Sequence, residues 1–203
     1  MCELTDVEKK YVEVSSNSER CLAEYTSFIS SEKKRTVISK GALYNLRPFE
    51  IERAGFKKGR KLNKLPSVIK NTYVYYFDSQ DRIILIETYG QSENIINKEF
   101  CIYTDDSLER IYFTSAGVLR NISISFFEAS MLKKEMNWGM YGCSTSEYMY
   151  DGITLEKIAV RQKEHHDTSF SDFNVIFKYK GDELESITNV FPNGYQEQRF
   201  PQS

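Results

Sequence analysis

The sequence predicts an α+β fold, mostly β, in which N-terminal helices pack on a large, twisted, antiparallel β-meander of repeated hairpins. Three observations carry this. Apolar residues recur at steps of three and four up to Ile29. From Asn71 onward, short runs of β-branched and aromatic residues alternate with polar turns. In the second half of the chain one hairpin motif comes back several times.

The helical stripe is Val7, Tyr11, Val14, Ser18, Leu22, Tyr25 and Ile29, interrupted only at Ser18. Thr5-Asp6-Val7-Glu8 has the form of a capping box and marks a start. The cluster Ser15-Ser16-Asn17-Ser18 offers a second N-cap before Glu19, so one long helix or two fit equally up to about Lys34. Residues 1–52 are therefore taken as an N-terminal helical segment. Residues 53–70 form a basic connector with seven Lys or Arg and no acid. Because the whole chain carries −2, the remainder carries −9, and the molecule is electrically two-sided. Gly55, Gly59 and Pro66 mark the connector as loop territory.

Residues 71–203 are expected to form the meander and to make one compact unit with what precedes them. Tyr73–Phe77, Arg82–Ile86, Glu99–Tyr103 and Arg110–Thr114 read as strands, and no proline falls between Pro66 and Pro192 to interrupt a sheet. The repeat is Tyr-x4-Leu-Glu-x-Ile, present as Tyr103…Leu108-Glu109-x-Ile111, Tyr150…Leu155-Glu156-x-Ile158 and Tyr179…Leu184-Glu185-x-Ile187. Looser copies start at Phe77 and Phe127. An aromatic closes one strand, polar residues turn it, and a Leu opens the next where it can pack near that aromatic. Asn193-Gly194 is a further turn signal before a last strand. Eight to ten strands are expected.

Composition bounds the function. At 203 residues, 40% hydrophobic and 28% charged, one core suffices without disulfide or metal. The four cysteines, Cys2, Cys21, Cys101 and Cys143, include no CxxC pair, which argues against a zinc site or a disulfide framework and for a reducing compartment. No signal-peptide pattern and no long apolar run occur, so the protein is expected to be cytoplasmic and without a membrane partner.

No catalytic residue, metal or cofactor is assigned. Gly-x-Ser-x-Gly, Walker and dinucleotide glycine motifs are absent. Cys143 with His165 or His166 as its base, or the two histidines with Asp172 as a metal or general-base site, would suit a hydrolase, against a reading of the histidines as a solvated loop. Met136–Tyr141 is either core or an exposed anchor for a partner. Two charged features are candidate binding sites. Asp105, Asp106, Glu109, Asp151, Glu156, Asp182, Glu183 and Glu185 recur at or just after the hairpin turns, and so should line one end of the sheet and attract a basic partner. Ordinary solvated turn chemistry explains the same residues. Lys57, Lys58, Arg60 and Lys61 form an alternative anion site for nucleic acid or a phosphate ligand, against a plain solvated connector.

Phe77-Asp78-Ser79-Gln80-Asp81-Arg82-Ile83 and Tyr150-Asp151-Gly152-x-x-Leu155 resemble the Tyr-Asp-x-x-Gly-Arg-Leu hairpins of YD/Rhs-type repeat proteins of bacterial polymorphic toxin systems, over residues 73–190. Asp81 stands where that repeat has Gly. A free-standing protein of such hairpins is similar in kind to the immunity proteins of those systems. The resemblance implies a non-enzymatic inhibitor whose partner is a cognate toxin domain, a nuclease among the candidates.

Overall fold

A computed structural model describes residues 3–201; Cys2 lies outside them. Two helices, α1 (Leu4–Ser16) and α2 (Ser18–Glu32), lead into β1 (Arg35–Lys40). A short helix, α3 (Glu50–Arg53), and β2 (Arg60–Leu62) follow. The meander then runs through β3 (Thr72–Phe77), β4 (Ile83–Tyr89), β5 (Ile96–Tyr103), β6 (Ser107–Phe113), β7 (Leu119–Glu128) and β8 (Met131–Gly139). It continues through β9 (Gly142–Asp151), β10 (Thr154–Glu164), β11 (Ser171–Lys180), β12 (Glu183–Val190) and β13 (Gln196–Phe200). All thirteen strands belong to one sheet in the order β13 to β3 by sequence, then β1 and β2, and every neighbouring pair is antiparallel.

The strand count exceeds the expected eight to ten because the segment read as helical and the segment read as connector each supply a strand. Arg35–Lys40 alternates, with Val37 and Ser39 buried, and pairs with both β3 and β2. The helical stripe breaks at Asn17 into two helices, as the serine cluster allows. The first starts earlier than the Thr5 box suggested: the backbone N–H of Glu3 donates to Asp6 Oδ2 at 2.9 Å. No helix among the described residues is long and apolar enough to cross a membrane.

Alternation along the strands gives the sheet two different faces. On one, Val7, Val14, Cys21 and Ile29 of the helices bury Phe100, Ile111, Ile122 and Met136 of β5 to β8. The other is covered by residues 41–59, which leave β1 and return to β2 as a strap. Leu43, Tyr44 and Leu46 of the strap pack with Tyr75, Phe77 and Ile86, while Phe49 packs with Phe177 and Tyr179. The strap touches β3, where the Tyr75 hydroxyl accepts from Leu43 N–H at 2.9 Å, and β13, where Arg199 Nε donates to Arg53 O at 3.0 Å. In a flat sheet β3 and β13 would stand about 48 Å apart. Residues 43–53, including one helical turn, span at most about 30 Å. The sheet therefore curls around the strap. β-Bulges at the turn ends of the β3–β4, β7–β8, β9–β10 and β11–β12 hairpins supply the bending.

Candidate functional site

In an antiparallel meander every second turn falls at the same end. The β3–β4, β5–β6, β7–β8, β9–β10 and β11–β12 turns form one end, and it carries the predicted carboxylates. Asp105 and Asp106 project from the β5–β6 turn, Asp151 from the entry to the β9–β10 turn, and Asp182 and Glu183 from the β11–β12 turn, all exposed. Glu128, the last residue of β7, joins them beside the β7–β8 turn. None of these six has an ion-pair partner among the described residues. In the β3–β4 turn the carboxylates are neutralised instead, Asp78 by Arg82 at 2.8 Å and Asp81 by Arg35. Asp81 has φ +60°, a conformation in which glycine is the default residue.

The other predicted carboxylates separate. Glu156 and Glu185 are the extra residues of two bulges and are exposed just behind the turns. Glu109 does not belong to this end. It lies on the helix face under α1, where Lys10 Nζ reaches its Oε2 at 2.5 Å. The β5–β6 pair keeps regular register past Leu108, so Glu109 points inward rather than being pushed out by a bulge.

The turn end is held by a ladder of phenol hydroxyls. Tyr103 donates to Ile83 O at 3.0 Å, Tyr150 to Leu132 O at 2.9 Å and Tyr179 to Leu155 O at 2.8 Å. Each bond runs from a hairpin's closing tyrosine to the aliphatic residue that opens the second strand of the preceding hairpin. Phe127 occupies the same place without a hydroxyl.

Beneath the strap lies an ionic cluster that local sequence patterns did not reveal. Arg110 grips Glu99 through two nitrogens at 2.9 Å each and reaches Glu50 at 2.7 Å. Arg47 pairs with Glu50 and, at 2.6 Å, with Glu135. These residues come from the strap and from β5, β6 and β8, separated by 60 to 88 positions where strap meets sheet, and no short motif links them. Burial alone would raise the Glu50 carboxyl, but the Arg110 and Arg47 guanidiniums beside it reverse that and hold it at about 2.

The remaining candidates fall as follows. Cys143 is buried in β9 beside Trp138 of β8, where a nucleophile would need access, and burial raises its thiol. It has no hydrogen bond to either histidine. His165 Nε2 bonds Gly139 O at 2.8 Å and its ring lies 5.2 Å from Trp138, while His166 sits in the exposed loop. Met136 is core and Trp138 packs against it, whereas Met140 and Tyr141 are exposed in the β8–β9 turn. No group of three or more His, Cys, Asp or Glu able to hold a metal occurs among the described residues. Lys57 and Lys58, just before β2, and Arg60 and Lys61 within it are all exposed, with no ion pair among the described residues. Short, basic strands of this kind also protect an edge from pairing with another sheet. No protein-family model matches the chain, and no curated protein matches it.

Proposed function

We propose that this is a non-enzymatic binding protein that neutralises a toxin domain by docking a basic surface of that domain, such as the substrate face of a nuclease, onto the acidic turn end. The single supporting observation is the gathering of six exposed, unpaired carboxylates at one end of the meander. The tyrosine ladder and the strap behind them fix their backbone, which lowers the ordering cost of binding. Such a field accelerates encounter with a cationic partner and screens with salt.

The test is a pull-down of tagged full-length chain from nuclease-treated native lysate, followed by rate measurements on the captured protein. Reversing Asp105, Asp106, Asp182 and Glu183 to Lys should slow association about tenfold or more at low salt, with a smaller effect at high salt. An association rate and affinity indifferent to this reversal would remove the acidic end from the reading. Recovery of no stoichiometric protein would remove the binding function itself.

A further inference from the structure

At the opposite end of the sheet, where the strap re-enters beside β3 and β4, lies a cavity of about 730 Å³. Phe56, Tyr73, Lys57, Lys70, Asn71 and Asn97 line it, and none of the described residues in the lining is acidic. The cavities around Glu135, Asp172, Asp182 and Glu50 each include at least one carboxylate.

Backbone contacts tie the frame around this cavity together. A Cβ on Gly59 would stand 2.3 Å from Gly41 O, so the two ends of the strap meet backbone against backbone, just after Phe56 and Lys57, which line the cavity together with Tyr73 of β3. Gly41 N–H donates to Asn71 O at 2.8 Å and Asn71 N–H to Tyr89 O at 3.1 Å. The Lys40 ammonium is occupied by the carbonyls of Val68, at 2.8 Å, and Lys70, which anchors the loop that presents Lys70. Lys57 and Lys70 themselves are exposed and have no ion-pair partner among the described residues. The Tyr73 ring is stacked on Tyr75, with centroids 6.1 Å apart and planes 13° from parallel, and Phe56 is 64% exposed. Two aromatic rings beside free ammonium groups and amides, with carboxylates excluded, is the donor set that an aromatic base bearing phosphate requires. The volume falls in the range of small-ligand sites.

We infer that this cavity binds a phosphorylated nucleobase compound, with the base against Phe56 and Tyr73 and the phosphate on Lys57 and Lys70. Lys58, Arg60 and Lys61 continue the positive strip away from it along β2, so the same chemistry would serve a free nucleotide or the phosphorylated end of a single strand.

Equilibrium dialysis of the full chain against ATP, AMP, tripolyphosphate and a short single-stranded RNA with a terminal phosphate tests this. Saturable nucleotide binding is expected, weakened about tenfold in Lys57→Ala and in Lys70→Ala. Phe56→Ala should weaken nucleotide about tenfold and leave tripolyphosphate unchanged. All three side chains are exposed, so their loss does not threaten the fold. If the RNA binds more tightly, and Lys58→Ala, Arg60→Ala and Lys61→Ala weaken it without touching AMP, a strand end is the occupant; the reverse pattern assigns a free nucleotide. No saturable binding of any probe, or binding indifferent to Phe56, Lys57 and Lys70, overturns the inference.

Discussion

The segment Tyr103–Ile111 and the segments Tyr150–Ile158 and Tyr179–Ile187 share one motif, yet the sheet uses them in two ways. In all three the Tyr faces the Leu directly across the turn. After that they diverge. In the first, register continues, Glu109 meets Lys10 of α1, and Ile111 joins the core under the helices. In the other two a bulge inserts one residue, Glu156 or Glu185, and Ile158 and Ile187 swing to the strap side. One extra residue exchanges the two faces for everything that follows it. The same nine-residue pattern is therefore compatible with either core, and the partner already standing on the sheet decides: a helix with a lysine in one case, the strap with Phe49 in the other.

The largest effect should come from Arg110, the residue after the inward Glu109, to which the other copies supply only Lys157 or Ser186. Arg110→Ala leaves the half-buried Glu99 without its guanidinium and Glu50 with only Arg47; it should cost about 4 kcal/mol in urea unfolding, whereas Lys157→Ala should be nearly neutral. The same cluster sets the acid response. The Glu50 carboxyl is held at about 2 in the folded chain against an ordinary 4.5, so the folded state binds fewer protons in between. Its contribution is complete above about pH 5 and is lost as the pH falls toward 2, and the acid-unfolding midpoint of Glu50→Gln should shift less than that of the wild type when the arginines are removed.

Next come the two isoleucines. Ile111→Ala and Ile158→Ala should each cost about 3 kcal/mol, since both are fully buried. They should couple to different neighbours in double-mutant cycles, Ile111 to Val7 and Ile158 to Phe177. Equal coupling of both to Val7 would break the assignment of faces. Tyr150→Phe and Tyr179→Phe should each lose about 1 kcal/mol with their ladder bonds. The smallest difference separates the glutamates. Glu109→Ala should cost about 1 kcal/mol, limited because its Oε1 is buried without a partner, while Glu156→Ala and Glu185→Ala should stay within about 0.5 kcal/mol.

Local pattern made much of this fold legible. The stripe from Val7 to Ile29 located the helices, and the Tyr-x4-Leu spacing located three hairpins to the residue, because strand pairing across a tight turn is a local event. The strands β1 and β2 were hidden because each pairs with a partner outside its own hairpin run, and β2 is only three residues long. The ionic cluster was hidden for a stronger reason: Arg47 and Glu135 read as ordinary surface charges until the strap brings them together. The gathering of turn carboxylates at one end was legible, since it follows from the alternation of a meander, but the inward fate of Glu109 depended on the absence of a single bulge.

A meander alone is a one-dimensional object in which each hairpin touches only its neighbours, so it can fray strand by strand from either end. The strap changes that connectivity. The bond from Arg199 to Arg53 ties the last strand to a segment 146 positions earlier, and that segment is in turn bound to β3 through Tyr75. Loss of β13 thus loosens the segment that also covers β3, and loosening at β3 is felt at β13. The two ends of the sheet share one opening event, and their amides should exchange with solvent as one cooperative unit rather than as thirteen graded ones.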